Sequence, residues 1–325
     1  MKRKLLVAAT GLTAAVGSLF IPMGGGVAVS TPGSVKKAPS FADVSADKPG
    51  KPLNMLFIHH SCGGQLLAGE GTEKGTSCIY ETHPSGGGLR AMLQEQGYNV
   101  HEASYDSDVG HDTNMFHWLP KFSTKMEKLL RVKRQDELLP EGEKNQIVVF
   151  KSCFPNNQFQ GEGEEPGNSG GPQLTVANAK ATLRELLPLF EKHPETLFVY
   201  VTAPPIAPKP EKMPAHRVVV RALKGKSEPA WTAQQATWAR AFNDWVVGDD
   251  GWLASYKLKN VVVFDYYGVL TGEGKSNLLV YPSGDGSDSH PTAEGNRASA
   301  AAFVPFLNRV VRRAGLADDA KSAMN

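Results

Sequence analysis

The stretch Asn54-Met-Leu-Phe-Ile-His-His-Ser61-Cys-Gly-Gly-Gln65 limits what this chain can fold into more than any other. Four apolar residues, Met55 to Ile58, stop abruptly at His59-His60-Ser61 and then at Gly63-Gly64. A short continuous apolar run ended so sharply reads as a strand buried on both faces, feeding a tight turn. Open α/β sheets gather their ligands at the carboxyl ends of such strands, so Ser61 is expected at that edge. A serine hydroxyl is a poor nucleophile until an imidazole takes its proton. The far end of the chain offers one, in Ser287-Asp288-Ser289-His290-Pro291, followed by Thr292 and a long helical pattern.

Between these two stretches the hydrophobic pattern alternates. Apolar runs at 55–58, 98–103, 147–150, 197–201 and 261–264 are separated by helical patterns at 87–96, 114–131, 174–193 and 231–247. A last helix is predicted over 293–313. Strands alternating with helices imply βαβ units, hence a mostly parallel five-stranded sheet covered on both faces, with right-handed crossovers. Pro188 should kink or shorten the helical pattern at 174–193. Trp231, Trp238, Phe242 and Trp245 share one helical face, a spacing that marks core packing more than a sugar-stacking platform. Long irregular segments at 63–85, 155–172 and 204–229 follow strands and so belong at the edge that carries Ser61. The third contains Lys209, Lys212, Arg217, Arg221, Lys224 and Lys226.

Lys2-Arg3-Lys4, an apolar run from Leu5 to Pro22, and small residues up to Ser30 describe a secretory signal peptide over 1–30, with Ala28 and Ser30 as cleavage positions. Residues 31–52, rich in Pro, Ser, Lys and Asp, read as a flexible linker, 53–315 as the folded domain and 316–325 as a tail. No second stretch is long enough to span a bilayer, so no stable membrane association is expected after cleavage. A formal charge of +2 argues against a nucleic-acid partner held by bulk electrostatics. Of three cysteines, Cys62 and Cys153 each follow a strand and are candidates for spatial neighbours. One disulfide with a free thiol, or three buried thiols with Cys78, both fit the sequence.

The chemistry implied is nucleophilic. Ser61 attacks, His290 is its base, and Asp288 orients the imidazole, with Asp285 as the second choice of acid. An oxyanion requires fixed donors. The Ser61 backbone N–H is one, Asn156 or Asn157 after the third strand another, and Gly110 after the second strand a weaker third. His60, Gln65 and Asn157 are expected to shape the substrate site.

Taken together, these blocks resemble the SGNH (GDSL-type) hydrolases across most of the chain from Ser61 to His290. Ser61 matches the first block, Gly110 the second, Asn156 or Asn157 the third, and His290-Pro-Thr-Ala-Glu-Gly-Asn the last. The resemblance implies a flavodoxin-like three-layer α/β/α domain, ester hydrolysis without a cofactor, and an oxyanion hole of Ser, Gly and Asn. The sequence departs from the pattern at three points. His59-His60 replaces the usual Gly-Asp before the serine, no Asp follows the third-block Asn, and the acid stands two residues before the histidine instead of three. The chain therefore reads as a divergent branch, exported, with an O-acetyl or other short acyl group on a carbohydrate as the expected substrate. Acyl transfer to a sugar hydroxyl would use the same acyl-enzyme. Two other readings compete. One is metal-assisted hydrolysis drawing on His59, His60, His111, Asp112, Asp288 and His290, although no H-E-x-x-H spacing is present. The other is a glycan-binding protein that kept the fold and lost the activity.

Overall fold

The computed structural model describes residues 39, 41–209 and 227–317. The expected signal peptide, residues 318–325 of the expected tail, and Lys212, Arg217, Arg221, Lys224 and Lys226 lie outside the described residues.

Numbered along the chain, the strands begin with β1 (Leu53–Ile58), β2 (Gly69–Glu70), β3 (Lys74–Thr76), β4 (Ile79–His83), β5 (Tyr98–Ala103) and β6 (Val132–Arg134). They continue with β7 (Glu137–Leu138), β8 (Ile147–Lys151), β9 (Leu197–Val201), β10 (Val261–Phe264), β11 (Pro282–Ser283) and β12 (Asp288–Pro291). The helices are α1 (Ser61–Leu67), α2 (Leu89–Glu95), α3 (Met115–Leu129), α4 (Val176–Phe190), α5 (Glu228–Val247), α6 (Tyr266–Leu270) and α7 (Ala293–Arg313).

The main sheet has the order β10-β9-β8-β1-β5-β6-β7. β1 lies at its centre, parallel to β5 on one side and to β8 on the other. Beyond β8 the pairing with β9 and then β10 is also parallel. The five expected strands thus follow the flavodoxin-like winding, in which the direction of strand addition reverses beside the first strand. That reversal opens a crevice at the carboxyl ends of β1 and β8.

The sheet has seven strands, not five. The two extra, β6 and β7, form a hairpin at the edge. Their residues Lys133, Arg134 and Glu137 break the apolar pattern, which suits an edge that must not pair with another chain. The segment 63–85, expected to be irregular, contains α1 and a small sheet of order β2-β4-β3. α4 retains Pro188 in its last turn and stops at Phe190. α5 starts at Glu228, with Ser227 capping the amide of Ala230 and Pro229 in the first turn.

Alternation along β1 explains the layers. Leu56 and Ile58 join Trp118 and Phe122 of α3, Phe190 of α4 and Phe242 of α5. Met55 and Phe57 face the other way, onto Leu66 of α1, Leu89 and Leu93 of α2, and Phe303 and Leu307 of α7. Both faces of the strand are buried, so the run reads as continuously apolar. Each such side chain contributes about 1.5–3 kcal/mol on burial. Trp238 and Trp245 of α5 pack at the border of the first core, as their helical spacing predicts.

The expected linker is a correction. Its described part packs on α7 and the residues just after it: the Ala46 carbonyl accepts from Asn308 Nδ2 of α7 at 2.8 Å, and the Gly50 amide donates to the Ala317 carbonyl beyond the helix at 2.9 Å. Phe41 lies against Phe306, with ring centroids 6.4 Å apart. Polar composition concealed two kinds of contact that periodicity does not report, backbone bonds and a single aromatic anchor.

Candidate active site

β1 passes into α1 almost without a loop. His59 is fully buried, His60 is the extended residue before the helix, and Ser61 is its first helical residue. The His60 carbonyl accepts from the amides of Gly63 at 2.8 Å and Gly64 at 3.0 Å. The two glycines permit this. A Cβ on Gly63 would lie 2.4 Å from the Cβ of His59, and one on Gly64 would lie 2.0 Å from the Cys78 carbonyl oxygen. Gly64→Ala gains about 0.5–1 kcal/mol of helix propensity but forces the backbone of the small sheet away, an overpacking that costs about 1–3 kcal/mol. The expected result is a lower urea midpoint; a midpoint at or above wild type would refute the packing argument.

Beneath the turn, His59 Nδ1 meets the His60 carbonyl at 3.0 Å and Nε2 meets Glu102 Oε1 at 3.1 Å. Arg90 Nε donates to the other Glu102 oxygen at 3.1 Å. Burial pushes the Glu102 carboxyl up, but the His59 hydrogen bond and the charges of His59 and Arg90 outweigh it and hold the group below its usual range. His60 donates from Nε2 to the Gly110 carbonyl at 2.9 Å and stacks on Tyr105, with ring centroids 3.7 Å apart. Burial pushes the His60 imidazole down to about 4. At neutral pH it is an uncharged strut between the Ser61 turn and the loop after β5.

The carboxyl end of the chain reaches Ser61 through the hairpin of β11 and β12. His290 Nε2 lies 2.8 Å from Ser61 Oγ, and His290 Nδ1 lies 2.7 Å from Asp288 Oδ1. Side chains two apart on a strand share a face, which places Asp288 beside His290 on β12. The same Oδ1 also accepts the His290 backbone amide at 2.9 Å, closing a local ring that fixes the carboxylate. Asp285 is engaged elsewhere, inside the turn, where its Oδ1 accepts the amide of Ser287 at 3.2 Å and the Ser287 hydroxyl at 2.6 Å. The hairpin is tied to the exit of β9 by Ser289 Oγ, which accepts the Ala207 amide at 2.9 Å. Thr292 caps α7, accepting from the Gly295 amide.

Two expected residues are not available as sequence suggested. The Gly110 amide donates to Ser107 Oγ at 2.9 Å, and a Cβ there would meet the Ser104 carbonyl oxygen at 2.2 Å, so this glycine serves a tight turn and its N–H does not face an oxyanion. Asn157 is fully buried. Its Nδ2 donates to the carbonyls of Ala203 at 2.8 Å and Pro204 at 3.0 Å, and its Oδ1 accepts from Asn243 at 3.0 Å. It braces β8 against β9 and α5 and does not reach substrate. Asn156 lies on the short 3₁₀ turn Phe154–Asn157. Its Oδ1 accepts the Met115 amide at 2.6 Å, while Nδ2 makes only longer bonds, 3.2 Å to the Cys153 carbonyl and 3.3 Å to Asn114. Gln65 is buried, and its Oε1 has no hydrogen-bond partner among the described residues.

Three site residues escaped sequence reasoning as functional groups. Cys153 Sγ stands 3.6 Å from Ser61 Oγ and 3.2 Å from Cys62 Sγ, with all three cysteines present as free thiols. The hydrogen bond shared with Cys62 pushes the Cys153 thiol down, helped by the charge of buried Lys151, whereas burial pushes the Cys62 thiol up. Phe154 sets its edge against the His290 ring at 5.1 Å, and Tyr105 is an exposed aromatic beside His60. The adjacency of β1 to β5 and β8 is the signal that unites them, and it exists only in the fold.

The six ligand types expected for a metal hydrolase do not converge. His59 and His60 are bonded to Glu102 and Gly110, and His111 and Asp112 are exposed on the loop before α3. Among the described residues, Cys62, Cys153 and His290 form the one group of three or more with metal-ligand atoms within 4.8 Å of one another. The Asp288 side chain is 48% exposed and that of His290 26%, so both reach solvent.

No family model matches the chain, and no curated protein does. Among solved structures it is similar to a carbohydrate esterase family 2 enzyme with a carbohydrate-binding domain from Corynascus thermopiles (Myceliophthora fergusii). That match has 13% identity and a TM-score of 0.36, over 82% of this chain and 68% of that one. An acetyl xylan esterase from Geobacillus stearothermophilus matches at 14% identity and a TM-score of 0.35, over 83% of this chain and 97% of the other. A phospholipase A1 from Streptomyces albidoflavus matches at 15% and 0.37, over 79% and 98%. At these identities and scores the activities in those names do not carry over to this chain.

Proposed function

We propose that this chain is an exported serine esterase of SGNH type that removes O-acetyl or other short acyl groups from a carbohydrate. The observation that carries the reading is the unbroken relay Asp288–His290–Ser61, with links of 2.7 and 2.8 Å, at the switch point of a parallel sheet. Ser61 Oγ attacks the acyl carbonyl while His290 Nε2 takes its proton. The same imidazole returns that proton to the leaving alcohol, and water then resolves the acyl-enzyme by the reverse sequence. Asp288 holds Nδ1–H, so that Nε2 presents its lone pair to the hydroxyl.

The oxyanion falls to the Ser61 amide, which opens α1 where no intrahelical carbonyl is available to it. Asn156 Nδ2, held by long bonds one turn beyond Cys153, is the second donor. The aromatics Tyr105 and Phe154, beside solvent-reached His290 and Asp288, suit an acyl group presented on an extended, polar alcohol. The relay also weakens the reading of a binding protein without activity, because three polar groups are aligned with no other evident role. A sugar hydroxyl in place of water would make the protein an acyltransferase.

The test is intact-mass spectrometry of the purified chain after exposure to an organophosphonate serine probe. One adduct per chain is expected, absent in Ser61→Ala. A folded wild-type chain that takes no adduct would count against the serine reading. Chelator treatment is expected to leave ester turnover undiminished; loss of turnover restored by zinc or manganese would favour a metal hydrolase.

A further inference from the structure

The nucleophile is flanked by a set of donors that ester chemistry does not require. Cys62 Sγ and Cys153 Sγ are 3.2 Å apart, Cys153 Sγ is 3.6 Å from Ser61 Oγ, and Ser61 Oγ is 2.8 Å from His290 Nε2. The two sulfurs and the imidazole lie mutually within 4.8 Å. We propose that Cys62, Cys153 and His290 form a binding site for a thiophilic d¹⁰ cation of the zinc class, seated over Ser61 and exclusive with ester attack.

The geometry is close to what such an ion needs. A tetrahedral ion with bonds of about 2.3 Å to sulfur and 2.0–2.1 Å to nitrogen or oxygen separates its ligands by about 3.3–3.8 Å. Contacts of 2.8 and 3.2 Å must lengthen by about 0.5 Å, and any near the 4.8 Å limit must shorten by up to about 1.5 Å, to meet that requirement. Two thiolates and one imidazole are also the ligand set that soft or borderline cations prefer to carboxylates and water. The second shell is in place as well. The Asp288 carboxylate 2.7 Å from Nδ1 fixes the tautomer that leaves Nε2 with a lone pair, and a metal uses that lone pair as readily as a proton does. Lys151, fully buried, donates to the Ser152 carbonyl at 3.0 Å and supplies positive charge beside the thiolates. Binding releases the thiol protons, and Ser61 Oγ or a water completes the fourth corner. Exclusion of ester attack rests on the reading of Ser61 and His290 given above; the binding itself does not.

The experiment is a titration of the reduced full-length chain, its three thiols counted beforehand, with Cd²⁺ as the zinc-class probe. The readout is the ultraviolet thiolate-to-metal charge-transfer band. The band is expected to saturate at one ion per chain, to persist in Cys78→Ser, and to be lost in both Cys62→Ser and Cys153→Ser. His290→Ala is expected to weaken binding by more than about tenfold, at least the effect of losing an outer-shell partner. No saturable band in the reduced wild type, a band surviving both Cys62→Ser and Cys153→Ser, or an unchanged affinity in His290→Ala would each overturn the site. In a separate arm, bound Zn²⁺ is expected to slow phosphonate labelling of Ser61 at least tenfold. Labelling at the free-protein rate with the ion bound would overturn exclusivity. A chain that never labels, yet binds Cd²⁺ as described, would retain the metal site and lose the esterase.

Discussion

Ser61→Ala should reduce kcat for a short-chain aryl ester by at least about 10⁴-fold, with little change in KM and a melting curve close to wild type. The magnitude follows from the way a relay works as a unit. Without the hydroxyl there is no acyl-enzyme, and what survives is the residual catalysis from oxyanion donors and substrate positioning alone. The structural cost is small because Ser61 is only partly buried and the contacts of its hydroxyl are with His290 Nε2 and Cys153 Sγ. A surface or rim deletion of this kind usually stays within about 1 kcal/mol of wild type. The measurement is steady-state kinetics of wild type and variant side by side, with thermal melts as the control on folding. Turnover retained within a factor of ten would remove Ser61 from the mechanism, whatever the 2.8 Å contact suggests.

The parts of this molecule that sequence disclosed are those whose physics is periodic or local. The runs Met55–Ile58 and Ile147–Phe150 are buried on both faces, and a strand in that position has nowhere to put a polar residue, so each run was legible as a central parallel strand. Asp288 and His290 were legible as partners because they stand two apart in one short stretch, expected as a loop and found as the strand β12. What remained hidden depends on which groups meet across the fold. Gly110 and Asn157 have the right residue types at the right strand ends. Nothing along the chain shows that Ser107 takes the amide of one, or that Ala203, Pro204 and Asn243 enclose the other. The edge hairpin of β6 and β7 escaped notice because edge strands are short and charged by necessity. Tyr105 and Cys153 enter the site from the strands on either side of β1, and their separation from Ser61 in sequence gives no hint of it.

Asp288→Asn is the second large effect, and its direction relative to Asp288→Ala discriminates orientation from simple charge. The asparagine Oδ1 can still accept the His290 backbone amide, so the turn survives. The same oxygen then still faces Nδ1, as the carboxylate Oδ1 does in the wild type, and keeps the tautomer with hydrogen on Nδ1. What asparagine removes is the negative charge that stabilises the imidazolium formed as His290 takes the serine proton. With alanine, solvent reaches Nδ1, since the Asp288 side chain is 48% exposed, and the productive tautomer is hydrogen-bonded by water. The expected order of kcat is therefore wild type, then Asp288→Asn, which loses the charge alone, then Asp288→Ala, which loses the charge and the fixed acceptor. The asparagine variant should fall about 10²–10³-fold, less than the roughly 10⁴-fold effects known where the wrong tautomer is held. Asp285→Asn is the matched control. Its carboxylate binds Ser287 within the turn, so turnover should stay within about a factor of three, the size of a surface change near 0.5 kcal/mol. Should Asp285→Asn prove the more damaging of the two, the triad acid is misassigned and the His290–Asp288 contact is structural. Should Asp288→Asn fall below Asp288→Ala, the amide has turned its nitrogen to Nδ1 and holds the unproductive tautomer. The carboxylate would then act chiefly by orienting the imidazole and not through its charge.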